Sequence, residues 1–332
     1  MYNIKKCIFK KIEGLSSKQT RPTTRERVII VDELRSTYKL KVLLKVAGLA
    51  KSTYEYYKSK KHLCAAQRKA NKDNEILSII KPMFEKHQSR YGYRRITLSL
   101  KYKLTGINHK RIQRIMRENG LYGKQAKYKY HSYKGDNGES KENLLLHKEV
   151  DEIKHKTTYV REFDTTGPNQ KWTTDVSEFK ISAGKVYLSP IMDMYDRSIV
   201  SFDISTIPNF EQTKRMIDDA FNQYNNLEGL IFHSDQGWQY QMEQYKKWLN
   251  DKGIKQSFSR KGNCMDNSLM ENFFGIMKNE MFYGEESTFK SLDELKAAMK
   301  EYIRYYNEER INTKRKGLTP LEFRYQSLSI TI

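Results

Sequence analysis

Two rhythms run along the chain. Between Arg25 and Lys60 apolar residues return at three- and four-residue steps, through Val28, Ile29, Val31, Leu34 and Tyr38, the period of a helix with one buried face. Residues 40–47, the turn Gly48-Leu49-Ala50 and residues 52–57 then read as helix, turn and helix, with Ser52 placed to cap the second. The same period continues through Ile76, Ile79, Ile80 and Phe84. Tyr91-Gly-Tyr-Arg-Arg95 opens another helix with Arg94 and Arg95 exposed, and Asn108 caps a helix that Gly120 ends. From Phe163 the period shortens. One strand is predicted over 171–181, with antiparallel partners over 185–194 and 199–204 across the turn at Gly184. A helix follows over 211–225, then an apolar strand over 229–233 that suits a sheet centre, a helix around 245–249 and a last strand over 254–258. Long helices are expected over 264–281 and 291–310. An all-α region thus precedes an α/β region.

Charge divides the chain at nearly the same place. Of a formal net charge of +21, residues 1–150 carry +23, from 36 Lys and Arg against 13 Asp and Glu. Residues 151–332 carry −2. A basic module joined to a near-neutral one implies a part that holds a polyanion and a part that acts on it. In the helix after Asn108, Ile112, Ile115 and Met116 face inward, while Lys110, Arg111, Arg114 and Arg117 share the opposite face, which suits phosphate contacts. Lysines alternate with tyrosines over 124–134, ahead of a turn-rich stretch. Three cysteines without C-x-x-C spacing exclude a zinc module and a disulfide scaffold and fit a reducing cytoplasm. No apolar run is long enough to span a membrane.

Three carboxylates stand out from the remaining acids: Asp175 on the first strand, Asp235 just past the apolar strand, and Glu271 early in a helix after the loop 260–263, expected to be mobile. Thirty-five residues separate Asp235 from Glu271. Acids at element ends of one open α/β sheet converge on one cleft, and three of them can hold two divalent metal ions, a device for phosphodiester chemistry. Other acids have plainer readings. Asp266 suits a helix cap, Asp193 and Asp196 a hairpin turn, and Glu178 and Asp203 a solvated face. His233, adjacent to the apolar strand's end, reads as structural or DNA-positioning rather than as a metal ligand, and Trp172 as core.

These residues occur within an ordered set: Tyr91-Gly-Tyr-Arg-Arg95, Trp172-Thr-Thr-Asp175, His233-Ser-Asp-Gln-Gly237, Gly262-Asn-Cys-Met-Asp-Asn-Ser268, Glu271-Asn-Phe-Phe274, Lys278, Tyr305-Tyr-Asn307, Arg310 and Leu318-Thr-Pro-Leu-Glu-Phe323. On this set the chain resembles bacterial insertion-sequence transposases of the retroviral-integrase superfamily, open-reading-frame B type. The resemblance implies a ribonuclease-H-like core, a mixed five-stranded sheet with flanking helices, behind a helix-turn-helix region. It implies Asp175, Asp235 and Glu271 as metal ligands for two Mg²⁺, with Mn²⁺ substituting, that serve DNA cleavage and strand transfer at element ends. Lys278, two helical turns from Glu271, would meet a DNA phosphate, with Asn267 and Lys261 touching DNA from the preceding loop, Arg94, Arg95, Lys110, Arg111 and Arg114 from the helical region, and Arg310 near phosphate. The implied partners are double-stranded DNA, further copies of the chain on DNA, and an upstream product fused by frameshifting. The implied location is the bacterial cytoplasm, at the nucleoid. The expected divisions are a flexible basic arm 1–24, a DNA-binding region 25–122, a basic linker 123–162, the catalytic core 163–310 and a tail 311–332. A non-catalytic end-binding regulator is disfavoured by the intact triad. Another ribonuclease-H-like nuclease would have no need of the separate basic module.

Overall fold

A computed structural model of the chain describes residues 22–101, 103–124, 142–151 and 156–330. Most of the expected arm and much of the expected linker lie outside the described residues. The chain forms two compact units, Met1–Pro82 and Met83–Ile332.

In the first unit, α1 (Thr24–Leu34), α2 (Leu40–Ala47) and α3 (Lys51–Lys58) enclose a core of Val28, Ile30, Val31, Leu34, Leu43, Leu44, Leu49 and Tyr54. Thr23 and Glu26 form a reciprocal capping box at the start of α1. The expected inward face is corrected by one position: Ile30 is buried, whereas Ile29 is 45% exposed. Ser52 does not cap α3, because the helix begins at Lys51 and Ala50 takes the cap position without a side-chain bond. The turn is held instead from across the unit. Gly48 adopts a left-handed φ of 62°, and Arg27 donates to the Ala47 and Gly48 carbonyls at 3.3 Å. The long helix α4 (Lys60–Lys86) follows.

In the second unit α5 (Tyr93–Lys101) and α6 (His109–Glu118) pack together. Asn108 caps α6 as expected, accepting from the Lys110 amide at 2.8 Å. The Tyr-Gly-Tyr-Arg-Arg motif proves to be an anchor. The buried Tyr91 hydroxyl donates to the Glu309 carbonyl at 2.5 Å and accepts from the Ile311 amide at 3.0 Å, while its ring stacks on His87. A two-stranded sheet, β1 (Leu146–Asp151) with β2 (Lys156–Arg161), follows.

The main sheet contains β3 (Lys171–Thr174), β4 (Ser177–Ile181), β5 (Gly184–Asp193), β6 (Ile199–Ser205), β7 (Ile231–Ser234) and β8 (Lys255–Phe258). Its order is β4-β5-β3-β7-β8, with β6 on β5. The expected strand 171–181 is broken at Asp175-Val176, so that β3 and β4 pair successive stretches of β5. The break has a local cause: Asp175 turns its carboxylate onto the next amide, Val176, at 2.7 Å. β3 is central in the sheet, antiparallel to β5 and parallel to β7, and β7 runs parallel to β8. Counting β3 and β4 as one strand leaves the five-stranded mixed sheet that was expected.

Helices α7 (Phe210–Gln223), α8 (Trp238–Gln241) and α9 (Glu243–Asp251) contribute to a core built around Trp172, Met216, Ile217, Phe232, Tyr240, Tyr245 and Leu249. Beyond the sheet lie α10 (Ser268–Met277), a π-helical turn (Lys278–Phe282), α11 (Leu292–Glu308) and α12 (Pro320–Ile330). The last helix is tied to the sheet by a buried charge cluster. Arg324 donates to Asp193 at 3.1 Å and to Asp196 at 2.8 Å, and Asn169 accepts from it at 2.6 Å. Asp193 and Asp196 lie at the turn between β5 and β6, as expected, and both are fully buried.

Candidate active site

Two of the three carboxylates leave the C-terminal ends of neighbouring parallel strands. In the β3–β7 pairing Thr173 lies opposite His233. Two residues further on, one strand delivers Asp175 and the other Asp235, at the crevice where open α/β sheets bind ligands. Glu271 arrives from the first turn of α10. A 3-10 turn, Cys264–Asn267, leads into that helix and is stitched to β3. The Thr173 hydroxyl donates to the Asn267 side-chain oxygen at 2.5 Å, and the Asn267 amide donates to the Thr174 carbonyl at 3.0 Å. Glu271 follows this stitch by one helical turn, which brings it to the Asp175 end of β3.

The electrostatics record the convergence. The Asp175 carboxyl is pushed up to about 7, first by burial, then by repulsion from Asp235, and further by Glu271, with the Val176 amide and Lys278 opposing. Burial also raises Asp235, against the hydrogen bond from the Gly237 amide at 2.9 Å. The space beside that bond is tight: a Cβ at position 237 would sit 2.9 Å from the Asp235 oxygen and 2.8 Å from the Gln239 side-chain amide, so those side chains would have to shift. Lys278 is half-buried, its ammonium 4.9 Å from the Phe179 ring centre, and it feels the charges of Glu178 and Asp175. Among the described residues no three His, Cys, Asp or Glu side chains are already gathered into a metal cage. An all-oxygen donor set whose members repel one another nevertheless fits hard divalent cations placed between the acids.

The neighbouring residues take more definite roles than the sequence assigned. His233 bridges two serine hydroxyls, Ser257 at 2.9 Å and Ser259 at 3.0 Å, and burial pulls its pKa down to about 4. It is therefore a neutral brace between β7 and β8, in line with the structural reading. Asp266 is not a helix cap. It accepts from Arg260 at 2.9 Å, from Arg161 at 2.8 Å and from Asn143 at 3.1 Å. Burial opposes its ionisation, but the two guanidinium groups outweigh burial and hold the acid low. The loop expected to be mobile is thereby pinned at both ends.

The expected DNA contacts divide. Lys261, Arg94 and Lys110 are exposed, and Arg111 is half-buried. Arg114 is half-buried and pairs with Glu118 at 2.9 Å. Asn267 is buried with both ends of its amide engaged inside the protein, so the stitch replaces its expected DNA contact. Arg95 turns inward to Glu280 at 3.4 Å instead of lying exposed. Arg310, expected near phosphate, is buried and grips Glu280 at 2.7 Å. Glu280, which the sequence did not single out, also accepts from the Tyr302 hydroxyl at 2.9 Å. It lies in the π-helical turn that begins with Lys278.

A mixed sheet with acids at the ends of its central parallel strands, closed by a helix bearing a third, defines a ribonuclease-H-like polynucleotidyl transferase core. Two integrase core domain models match residues 165–264 and 271–328, and an HTH-like domain matches 71–129. The putative transposase InsK for insertion sequence element IS150 of Escherichia coli K12 is 42% identical over 298 residues, 90% of this chain and 98% of the relative. An uncharacterized transposase-like protein of Haemophilus influenzae is 48% identical over 67% of this chain and 95% of its own. The HTLV-2 integrase catalytic core, solved in complex with magnesium, overlays 48% of this chain and 99% of its own at 19% identity and a TM-score of 0.39. The chain belongs to the insertion-sequence transposases with an integrase core, and it is a DNA transposase.

Proposed function

We propose that Asp175, Asp235 and Glu271 form the catalytic centre, which cuts DNA at the ends of an insertion sequence and joins those ends to target DNA. The reading rests above all on the parallel register that delivers Asp175 and Asp235 side by side. The three carboxylates would hold two Mg²⁺, or Mn²⁺ in its place. Such ions, when bound, activate a water or a DNA 3′-hydroxyl and stabilise the departing oxygen. Crowding among the acids serves the same end, since a site with Asp175 raised to about 7 lacks positive charge. Lys278 contributes part of that charge and orients a backbone phosphate. The Asn267 stitch and the Asp266 clamp fix the approach of Glu271. The basic first 150 residues hold double-stranded DNA, with Arg94, Lys110, Arg111, Arg114 and Lys261 at its backbone. Two element ends require at least two copies of the chain, in the cytoplasm beside the nucleoid, and an upstream product fused by frameshifting would extend the same assembly.

The test uses duplexes carrying the sequences that flank the gene, with the full chain and Mg²⁺. Nicked ends and joined products are expected, and EDTA should remove both. DNA binding should weaken steeply between low and moderate salt, because each neutralised phosphate releases counterions. Processing that continues undiminished in EDTA, or none with any divalent cation, rules out the assignment.

A further inference from the structure

One large apolar side chain beside the candidate centre has no internal role. Of the three tryptophans, Trp172 is fully buried and Trp248 packs against the core and stacks on Phe210. Trp238 is 56% exposed. It stands three residues after Asp235, and among the described residues its indole has no hydrogen-bond or ring partner. Keeping an indole in water forfeits the burial that its area offers, so its position calls for an external surface to cover it. It borders a cavity of about 210 Å³ whose walls include Val176, Pro208, Asn209 and Gln239. Val176 directly follows Asp175, so the cavity opens between the neighbours of two candidate catalytic acids. The same wall carries a second aromatic ring, Tyr187, the amides of Gln212, Asn209 and Gln239, and the Glu178 carboxylate, a mixture of aromatic faces and polar groups that suits a flat ring with polar edges.

We infer that Trp238 is the stacking platform of a nucleobase pocket, which takes one unpaired base next to the phosphate being cut or joined. A base lies one sugar away from its own phosphate, and a phosphate at Asp175 and Asp235 would carry its base toward the cavity that these residues flank. Enzymes that act within a duplex gain access by drawing a base from the stack, and an aromatic face compensates the lost stacking without selecting sequence. Asn209, whose side-chain oxygen caps α7 by accepting from the Gln212 amide, and Gln239 lie in the cavity wall, and their amide groups would supply preference. The base belongs either to the element end or to the target strand. This inference rests on the proposed function.

The experiment uses the full chain, Mg²⁺ and duplexes with 2-aminopurine, whose emission reports unstacking, either at the element end or in the target. Wild-type protein should change the emission in one of the two arms. Trp238→Ala should abolish that change and slow the reaction of that duplex roughly ten-fold, the scale of one lost base stack, while Trp238→Phe restores most of both. Trp238 is exposed, and a matched melting curve checks that each variant is folded. A wild type that cuts and joins without any emission change, or an alanine variant that keeps the change, overturns the pocket alone. So does a phenylalanine variant as impaired as the alanine one. A wild type with no Mg²⁺-dependent processing overturns the functional reading and the pocket with it.

Discussion

Asp235→Asn is expected to lose DNA cleavage and joining by on the order of a thousand-fold, while the protein still binds DNA. The substitution keeps the size of the side chain and the acceptor for the Gly237 amide but removes a charge that a cation needs. Several kcal/mol of charge stabilisation, at about 1.4 kcal/mol per factor of ten, sets the scale. Stability should move the other way. Asp175 titrates near 3.8 when unfolded and at about 7 in the fold, so the folded state loses stability as pH rises between those values and carries the full penalty above 7. Removing the Asp235 charge relieves the second of the two main causes of that shift. Metal-free Asp235→Asn should therefore melt higher than wild type at pH 8, by on the order of 1 kcal/mol, and gain nothing near pH 4. Mg²⁺ should raise the wild-type melting temperature more than the variant's. Retained cleavage, or a lower melting point at pH 8, would break the link between these acids.

The largest effect on stability is expected from Glu280→Ala. Glu280 is buried and answers the equally buried Arg310 at two nitrogens, 2.9 Å at Nε and 2.7 Å at Nη2. Burial works against the carboxylate, but Arg310 and Arg95 more than offset it and hold its pKa low. Taking away one partner of such a pair strands the other charge, at a cost of about 3–5 kcal/mol. Tyr302 would lose its acceptor as well. Glu280→Gln keeps shape and one acceptor and should fall between. The urea midpoint, with its slope unchanged, measures both. A loss under about 1 kcal/mol for the alanine variant would mean that the cluster is not the tie between α5, the π-helical turn and α11. Since Lys278 begins that turn, a loosened variant should also bind element ends less tightly than its remaining folded fraction predicts.

Much of this was legible in the chain itself. Asp175, Asp235 and Glu271 could be singled out because each belongs to a short motif on or just past a periodic segment, and such patterns are local. The buried face of α6 and its Asn108 cap were readable for the same reason. What escaped depends on distant partners. Asp266, Glu280 and the Asp193–Asp196 pair look like ordinary surface acids until Arg161, Arg310 and Arg324 are folded against them, and one sequence does not say which arginine meets which acid. Asn267 likewise looked like a loop residue facing DNA because Thr173, its partner, is 94 positions away. The break after β3 was hidden in an unbroken strand pattern, since its cause is a side chain bonding to its own neighbour. Ile29 against Ile30 was a one-residue error of phase, which a period of 3.6 does not resolve over so short a helix.

The Arg324 cluster also sets an order in time. Arg324 follows Asp196 by 128 positions and Asp193 by 131, so a growing polypeptide presents both acids long before their counter-charge exists. Until α12 leaves the ribosome, the sheet bearing the candidate acids must either stay loosely closed or neutralise two carboxylates in its interior. Ribosome-stalled chains ending before residue 324 should accordingly remain open to protease, and those extending past α12 should not. A nascent transposase would then be unable to cut DNA until α12 has been made and released.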